Sequence, residues 1–384
     1  MNCRGGRRRS LPGSQELAPP TNRCGGLLHY VLTISKAPIY SRHVEAFAPK
    51  VVPFVTSPGA ISRPVQLVQS HLDQVESRII QQATAFDSAI EGYVTYAIGG
   101  RGKRLRPMVA LLAGGATGEI NDGHIDLATI VELIHLATLV HDDIMDEAER
   151  RRGQPTVNAR WGNSLSVLLG DCLFAHALRL SANFENPDIN RAIAHTATRV
   201  CSGEMIQTQR RFDLKLGVQD YLRIVEMKTG SLFATAAELA GMINKADADS
   251  VGALKIFGMR LGTAYQIYDD CLDLAGSEIV TGKTLGTDLR KGKFTMPALI
   301  FLQSASEFER ERCCRLVLEE RCEEVAAILK NGATNGALNE SIAAATALLR
   351  QAQEAIEDLV ANSYQEGLLV LADGLREMLD QLRV

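Results

Sequence analysis

Residues 133–146 read LIHLATLVHDDIMD, an apolar run that closes on three aspartates, Asp142, Asp143 and Asp146. The same arrangement returns at 261–273, LGTAYQIYDDCLD, which closes on Asp269, Asp270 and Asp273. In each cluster the first and last aspartates are four residues apart, so on a helix they share one face. Like charges at that spacing repel and weaken the helix. Two such clusters, each ending an apolar helical stretch, therefore point to a cation that neutralises them. The plain alternative, a solvated acidic helix end, suits a single cluster better than a pair.

The rest of the chain supports helices. Val68, Leu72, Val75 and Ile79 fall at steps of four, three and four, the spacing of one buried helical face. Similar patterns run through 130–140, 165–178 and 254–268, and no stretch alternates with a period of two over several strands. Eight of the twelve prolines lie at or before Pro64, and proline inside a helix costs about 3 kcal/mol, so the body can be helical where the first 60-odd residues cannot. An all-α domain is expected over 65–384, preceded by a proline-rich leader, 1–64. That leader carries nine Lys or Arg against Glu16 and Glu45, with an arginine-rich start. An organelle transit peptide, a disordered tail and a misassigned start all fit it.

Composition narrows the partners. With 46% hydrophobic and 22% charged residues, the chain has ordinary globular character. A net charge of −4 gives no general attraction to nucleic acid or anionic membrane, and 5% aromatics leave little to stack on bases. Polar residues interrupt the longest apolar stretches before the ~20 residues needed to span a bilayer, so no transmembrane segment is expected. The eight cysteines show no C-x-x-C spacing, which favours free thiols in a cytoplasmic compartment.

Basic groups complement the acids. Gly99-Gly100-Arg101-Gly102-Lys103-Arg104-Leu105-Arg106-Pro107 joins glycines to four cations, and Arg150, Arg151 and Arg152 follow the first aspartate cluster. Lys228-Thr229-Gly230, Gly282-Lys283 and Lys293 come later. Arginine forks and lysine point charges suit phosphate oxygens. Magnesium, which takes a few carboxylates together with water and substrate phosphate, suits the aspartates, and neither cluster has the Cys or His set of a zinc site. Acids interleaved with bases suggest a metal-bridged diphosphate.

From about residue 65 onward the chain resembles the trans-isoprenyl diphosphate synthases, the polyprenyl synthetase family. The likeness rests on GKRLRP (102–107), LVHDDIMDEAERRRG (139–153), KTG (228–230), YQIYDD (265–270) and GKTLGTDLRKGKFTMP (282–297). It implies a bundle of long helices around a central cavity, with the aspartate motifs facing each other at its mouth, and a homodimer. It also implies a magnesium-dependent prenyltransferase that joins isopentenyl diphosphate to an allylic diphosphate. By position, Lys103, Arg106, His135 and Arg152 correspond to isopentenyl diphosphate ligands. Arg151, Lys228, Thr229, Gln266 and Lys283 correspond to ligands of the allylic diphosphate. Asp142, Asp146 and Asp269 would hold magnesium, with Asp143, Asp270 and Asp273 in support. Arg101-Gly102 departs from the family's commoner S-G-G-K-R form, and Met296 stands where leucine is usual.

The residues five and four before Asp142 are Ala137 and Thr138, where short-chain family members place bulky aromatics that floor the product pocket. Small side chains there imply a long-chain product, of the hexaprenyl-to-decaprenyl kind used for quinone side chains. Leu133, Ile134 and Phe174 are deeper candidates for a floor. A short-chain farnesyl or geranylgeranyl synthase and a non-catalytic regulatory subunit are the alternatives, though such subunits usually lose an aspartate motif. A class I terpene cyclase would lack GKRLRP and the second aspartate cluster.

Overall fold

The structure, a computed structural model, describes residues 62–100, 102–151, 153–275, 286–334 and 336–383. The leader up to Ile61, Arg101, Arg152 and the segment holding Lys283 lie outside the described residues. Helix α1 begins at Ser62 and runs to Gln81, with Pro64 in its first turn, where a missing N–H costs nothing. Val68, Leu72, Val75 and Ile79 are sealed on one face of it.

The order thereafter is α2 (Glu91–Ile98), α3 (Leu105–Thr117), α4 (Asp122–Met145), a two-residue hairpin of β1 (Arg150–Arg151) and β2 (Gln154–Pro155), α5 (Val157–Trp161), α6 (Asn163–Ser181) and α7 (Pro187–Gln209). Next come α8 (Val218–Val225), a π-turn (Glu226–Gly230), α9 (Ser231–Ile243) and α10 (Ala248–Ala275). The C-terminal part holds α11 (Thr287–Arg290), α12 (Met296–Ser304), α13 (Glu307–Leu318), α14 (Cys322–Ala333), α15 (Ala337–Ala355) and α16 (Ser363–Asp380). Among the described residues the fold is all-α apart from that small antiparallel ladder.

Helices α3, α4, α9 and α10 form the centre of the bundle. Helix α6 packs on α4, α15 covers α10, and α1 and α16 close over α3. The approach of α9 to α10 is very close. A Cβ on Gly258 would fall 2.4 Å from the Phe233 carbonyl oxygen, and one on Gly262 would fall 2.8 Å from the Phe233 side chain. Glycine at both positions lets the two backbones meet, and this seats Phe233 beneath the basic loop.

Helices α4 and α6 are long and apolar enough to span a bilayer by length and composition, which corrects the expectation that no segment reaches that threshold. The acids of α4 sit near its ends and at Glu132, so its remaining apolar stretch still scores as a span. Most of that stretch is buried inside the bundle, as befits a core helix; α6 is buried over 39% of its stretch and shows Val167 and Leu168 on its outer face.

Candidate active site

The first aspartate cluster occupies the last turn of α4. That end carries the negative pole of the helix dipole, which disfavours carboxylates and makes cationic partners necessary. His135, Thr138, Leu139, Asp142 and Asp146 are all half-buried along one stripe of α4, whereas Leu133, Ile134 and Ala137 are sealed. The hairpin turns Arg151 back so that its Nη2 lies 2.7 Å from Asp143 Oδ1. Asp146 accepts from Lys293 at 2.7 Å and from Arg211 at 3.0 Å, and Lys291 donates to its carbonyl. Burial works against the Asp146 charge, but Lys293 prevails and holds the carboxyl below its ordinary value. Two turns with positive φ interlock here: Phe212 donates its N–H to the Gly292 carbonyl at 2.8 Å, and its ring fills the space a Gly292 side chain would need.

Lys228 stands on the π-turn between α8 and α9, a local widening of the helix often seen at functional sites. Its Nζ lies 2.5 Å from Glu204 Oε2, 3.0 Å from Gln207 Oε1 and 3.9 Å from Asp142 Oδ2. Gly203 admits the π-turn, since a Cβ there would sit 2.8 Å from the Lys228 backbone nitrogen. Burial disfavours the ammonium, but Asp142 and Glu204 outweigh it and raise its pKa. The Asp142 carboxyl is pushed up to about 6, by burial first, with Lys228 pulling the other way. The Oε1 atom of Glu204 is buried and has no partner among the described residues.

At the second cluster a chain of hydrogen bonds joins the two halves of the site. Thr229 donates to Gln266 at 2.9 Å, Gln266 donates to Asp270 at 2.8 Å, and Tyr221 donates to Asp270 at 2.5 Å. Asp273 accepts from the Thr287 hydroxyl at 3.2 Å and the Asp288 N–H at 3.3 Å. Burial, followed by repulsion from Asp288, pushes Asp270 up to about 8. Asp288 itself is raised to about 6 by burial and by Asp273. Lys228 and Lys293 act electrostatically on both Asp142, in the first cluster, and Asp288, whose N–H bonds Asp273 in the second. Asp269 is half-buried on the same stretch of α10.

The basic loop divides its cations. Lys103 is exposed, with its Nζ 5.9 Å from the centroid of the Tyr265 ring, one turn before Asp269. Arg106 is buried with its guanidinium 4.7 Å from the Phe233 ring centroid, and its Nε has no partner among the described residues. Burial lowers its pKa. Arg104, grouped by sequence with the phosphate-seeking cations, instead points into the core, onto Glu76 and Glu132.

The structure thus brings Asp142, Asp143, Asp146, Arg151, Lys228, Thr229, Gln266 and Asp270 into one connected network. Glu204, Gln207, Arg211, Tyr221 and Asp288 join it without having been singled out from sequence. Glu204 and Gln207 lie one helical turn apart, and Asp288 is the lone acid within the basic run 282–293, so faint signals existed for these three. Among the described residues, no three Asp, Glu, His or Cys side chains form a ready-made metal cage.

The sequence profile of the polyprenyl synthetase family matches residues 87–331. An all-trans-nonaprenyl-diphosphate synthase (geranyl-diphosphate specific) of Rhodobacter capsulatus is 34% identical over 315 residues, 81% of this chain and 95% of that protein. A short chain isoprenyl diphosphate synthase of Methanothermobacter thermautotrophicus is 32% identical over 280 residues, 72% of this chain and 86% of that protein. The crystal structure of a polyprenyl synthase from Caulobacter crescentus CB15, complexed with calcium and isoprenyl diphosphate, superposes with a TM-score of 0.76 at 32% identity, covering 84% of this chain and 98% of that one.

Proposed function

This chain belongs to the polyprenyl synthetase family and is a prenyltransferase that condenses isopentenyl diphosphate with an allylic diphosphate, and we propose that its product is a long trans-polyprenyl diphosphate, a quinone side-chain precursor. The observation that carries the site assignment is the placement of Lys228 3.9 Å from Asp142 and of Lys293 2.7 Å from Asp146, with both cations also acting on Asp288, whose N–H bonds Asp273 of the second cluster. A substrate bearing several negative charges fits between acids that are already interleaved with cations.

In this reading Lys228, Thr229, Arg151, Gln266 and Lys283 hold the allylic diphosphate, and Lys103, Arg106, His135 and Arg152 hold isopentenyl diphosphate. Magnesium fits the donor set: the acids offer hard carboxylate oxygens, with Asp142, Asp270 and Asp288 raised by burial first and by neighbouring acids after it, and Glu204 keeps a buried oxygen without a partner among the described residues. Magnesium also needs only one or two carboxylates beside substrate phosphates, so a preformed cage is unnecessary. Asp142, Asp146 and Asp269 would hold it, with Asp143, Asp270 and Asp273 in support; when bound, it neutralises charge on the diphosphate and favours its departure.

Lys228 and Arg151 stabilise the departing diphosphate, and their preorganisation in a half-buried site strengthens that effect. Lys103 and Arg106 hold the second substrate with its double bond beside the allylic carbon. That double bond attacks the allylic carbon as the C–O bond breaks, and proton loss to the released diphosphate restores an allylic product. Water must be excluded from this step, because it would quench the cationic character that develops at the allylic carbon.

Thr138 supports the long-chain reading: it is small, half-buried and on the same stripe of α4 as Asp142. The apolar outer face of α6 supports a homodimer, in which a second copy covers Val167 and Leu168. The cytoplasm is the proposed compartment.

A product assay tests the function. Purified protein receives labelled isopentenyl diphosphate, farnesyl diphosphate and magnesium, and the extracted alcohols are sized after phosphatase treatment. A ladder extending beyond geranylgeranyl is expected. Products ending at farnesyl or geranylgeranyl would refute the open tunnel while keeping the reaction, and no condensation by folded protein would favour a regulatory subunit.

A further inference from the structure

We propose that Arg104 is a positioning residue for the isopentenyl diphosphate site, neutralising Glu76 and Glu132 so that Arg106 remains available to substrate. This rests on the assignment of Lys103 and Arg106 to that substrate.

Arg104 has φ +49°, a left-handed conformation that side-chain-bearing residues disfavour. Such a residue persists only where its surroundings over-determine it. Here they do. The side chain is 2% exposed, its Nη1 lies 2.6 Å from Glu132 Oε1, and its Nη2 lies 3.1 Å from Glu76 Oε2. Its Nε donates to the other Glu76 oxygen, and Nη2 also reaches the Gly100 carbonyl at 3.4 Å. With those donors committed inside the protein, Arg104 has little left to offer a phosphate.

Its effect on the site is indirect and has two parts. Glu76 belongs to α1 and Glu132 to α4, so Arg104 fastens the loop between the two helices. Glu132 lies one turn before His135, and the loop is thereby fixed to the helix carrying another candidate ligand of the same substrate. Glu132 also acts electrostatically on Arg106, so two carboxylates and two guanidiniums share one buried region. Without Arg104, Arg106 would face an uncompensated Glu132. It would be drawn inward from its place over Phe233, and its free Nε would be spent on the protein.

The test compares Arg104→Met, Arg104→Lys and the double variant Arg104→Met/Glu132→Gln, with Lys103→Ala as reference. Steady-state kinetics are read separately for each substrate, and thermal melting confirms folding. Arg104→Met should raise KM for isopentenyl diphosphate by about tenfold or more, with KM for the allylic substrate changed less than about twofold. Arg104→Lys, which keeps charge but not the fork, should fall between, and it carries the test if Arg104→Met does not fold. The double variant should recover part of the loss, because removing the acid releases Arg106. Parallel rises in both KM values, or no recovery in the folded double variant, would overturn the positioning role while Lys103→Ala still raised KM for isopentenyl diphosphate. An unchanged KM in Lys103→Ala would instead overturn the site assignment and the proposal with it.

Discussion

The Nζ of Lys228 lies 2.5 Å from Oε2 of Glu204, and this ion pair joins the π-turn to α7 within reach of Asp142. Truncating one member of a buried charge pair costs about 2–5 kcal/mol, largely by stranding the other. Lys228→Met should therefore lower kcat/KM by about a hundredfold or more, by stranding Glu204 as well as removing a ligand. Kinetics at saturating isopentenyl diphosphate, with the allylic substrate varied, measure it; a loss below tenfold would remove Lys228 from the transition-state contacts.

Gly203→Ala separates the shape of the π-turn from its charges. The added methyl would meet the Lys228 backbone nitrogen at 2.8 Å and the Met227 side chain at 3.0 Å. Overpacking of this kind costs about 1–3 kcal/mol. Urea denaturation should show that loss, and KM for the allylic diphosphate should rise although no charge has changed.

Thr138→Phe should shorten the product without abolishing turnover, because Thr138 lies on the accessible stripe of α4 with Asp142. Ala137→Phe is the harsher change. Ala137 is 0% exposed, so a ring there must displace core atoms as well as meet the growing chain. Product sizing together with melting temperature distinguishes the two: Thr138→Phe should alter length at near-native stability. Unchanged length in both variants would remove this wall from the product path.

The metal-free enzyme should lose stability as pH rises from 6.5 to 8. Asp270 has a folded-state pKa of about 8, above its ordinary 3.8. The native protein therefore keeps a proton through that interval which the unfolded chain has released, so unfolding becomes easier as pH rises. Buried His124 and His176 are both lowered from 6.5 and contribute little above it. Melting temperatures in chelator at the two pH values should differ more for wild type than for Asp270→Asn. Equal slopes would show that Asp270 is already ionised in the fold.

Leu168→Glu should convert the proposed homodimer to monomers. Leu168 is 65% exposed on a helix otherwise rich in apolar residues. A carboxylate there is harmless in water and costly once a second copy covers it. Sedimentation of wild type and variant at equal concentration reads the result directly, and identical masses would exclude this face as the contact.

Much of the architecture was legible from sequence because its signals are contiguous. The aspartates of 142–146 and 269–273 and the apolar runs before them can be read within a few turns of helix. What escaped depends on residues far apart in the chain. Arg104 looks like a phosphate ligand until Glu76 and Glu132, each 28 residues away, are brought around it. Tyr221 meets Asp270 across 49 residues, and Lys293 meets Asp146 across 147. No local periodicity encodes such pairings; they arise when helices pack. Arg152, Lys283 and the leader lie outside the described residues.

The π-turn at 226–230 carries a last consequence. Helices α8 and α9 flank it without a break in the chain's helical path, yet the widened turn accommodates one residue more than an α-helix of the same rise. Residues on either side are therefore out of phase with each other by about 100°, one residue's step around the axis. Tyr221 and Ile224 on one side, and Phe233 and Ala237 on the other, can then both be buried while Lys228 remains turned to the acids. Deleting Met227 alone would leave every site side chain's chemistry intact and still disconnect them. At this point in the chain, the number of residues matters as much as their identity.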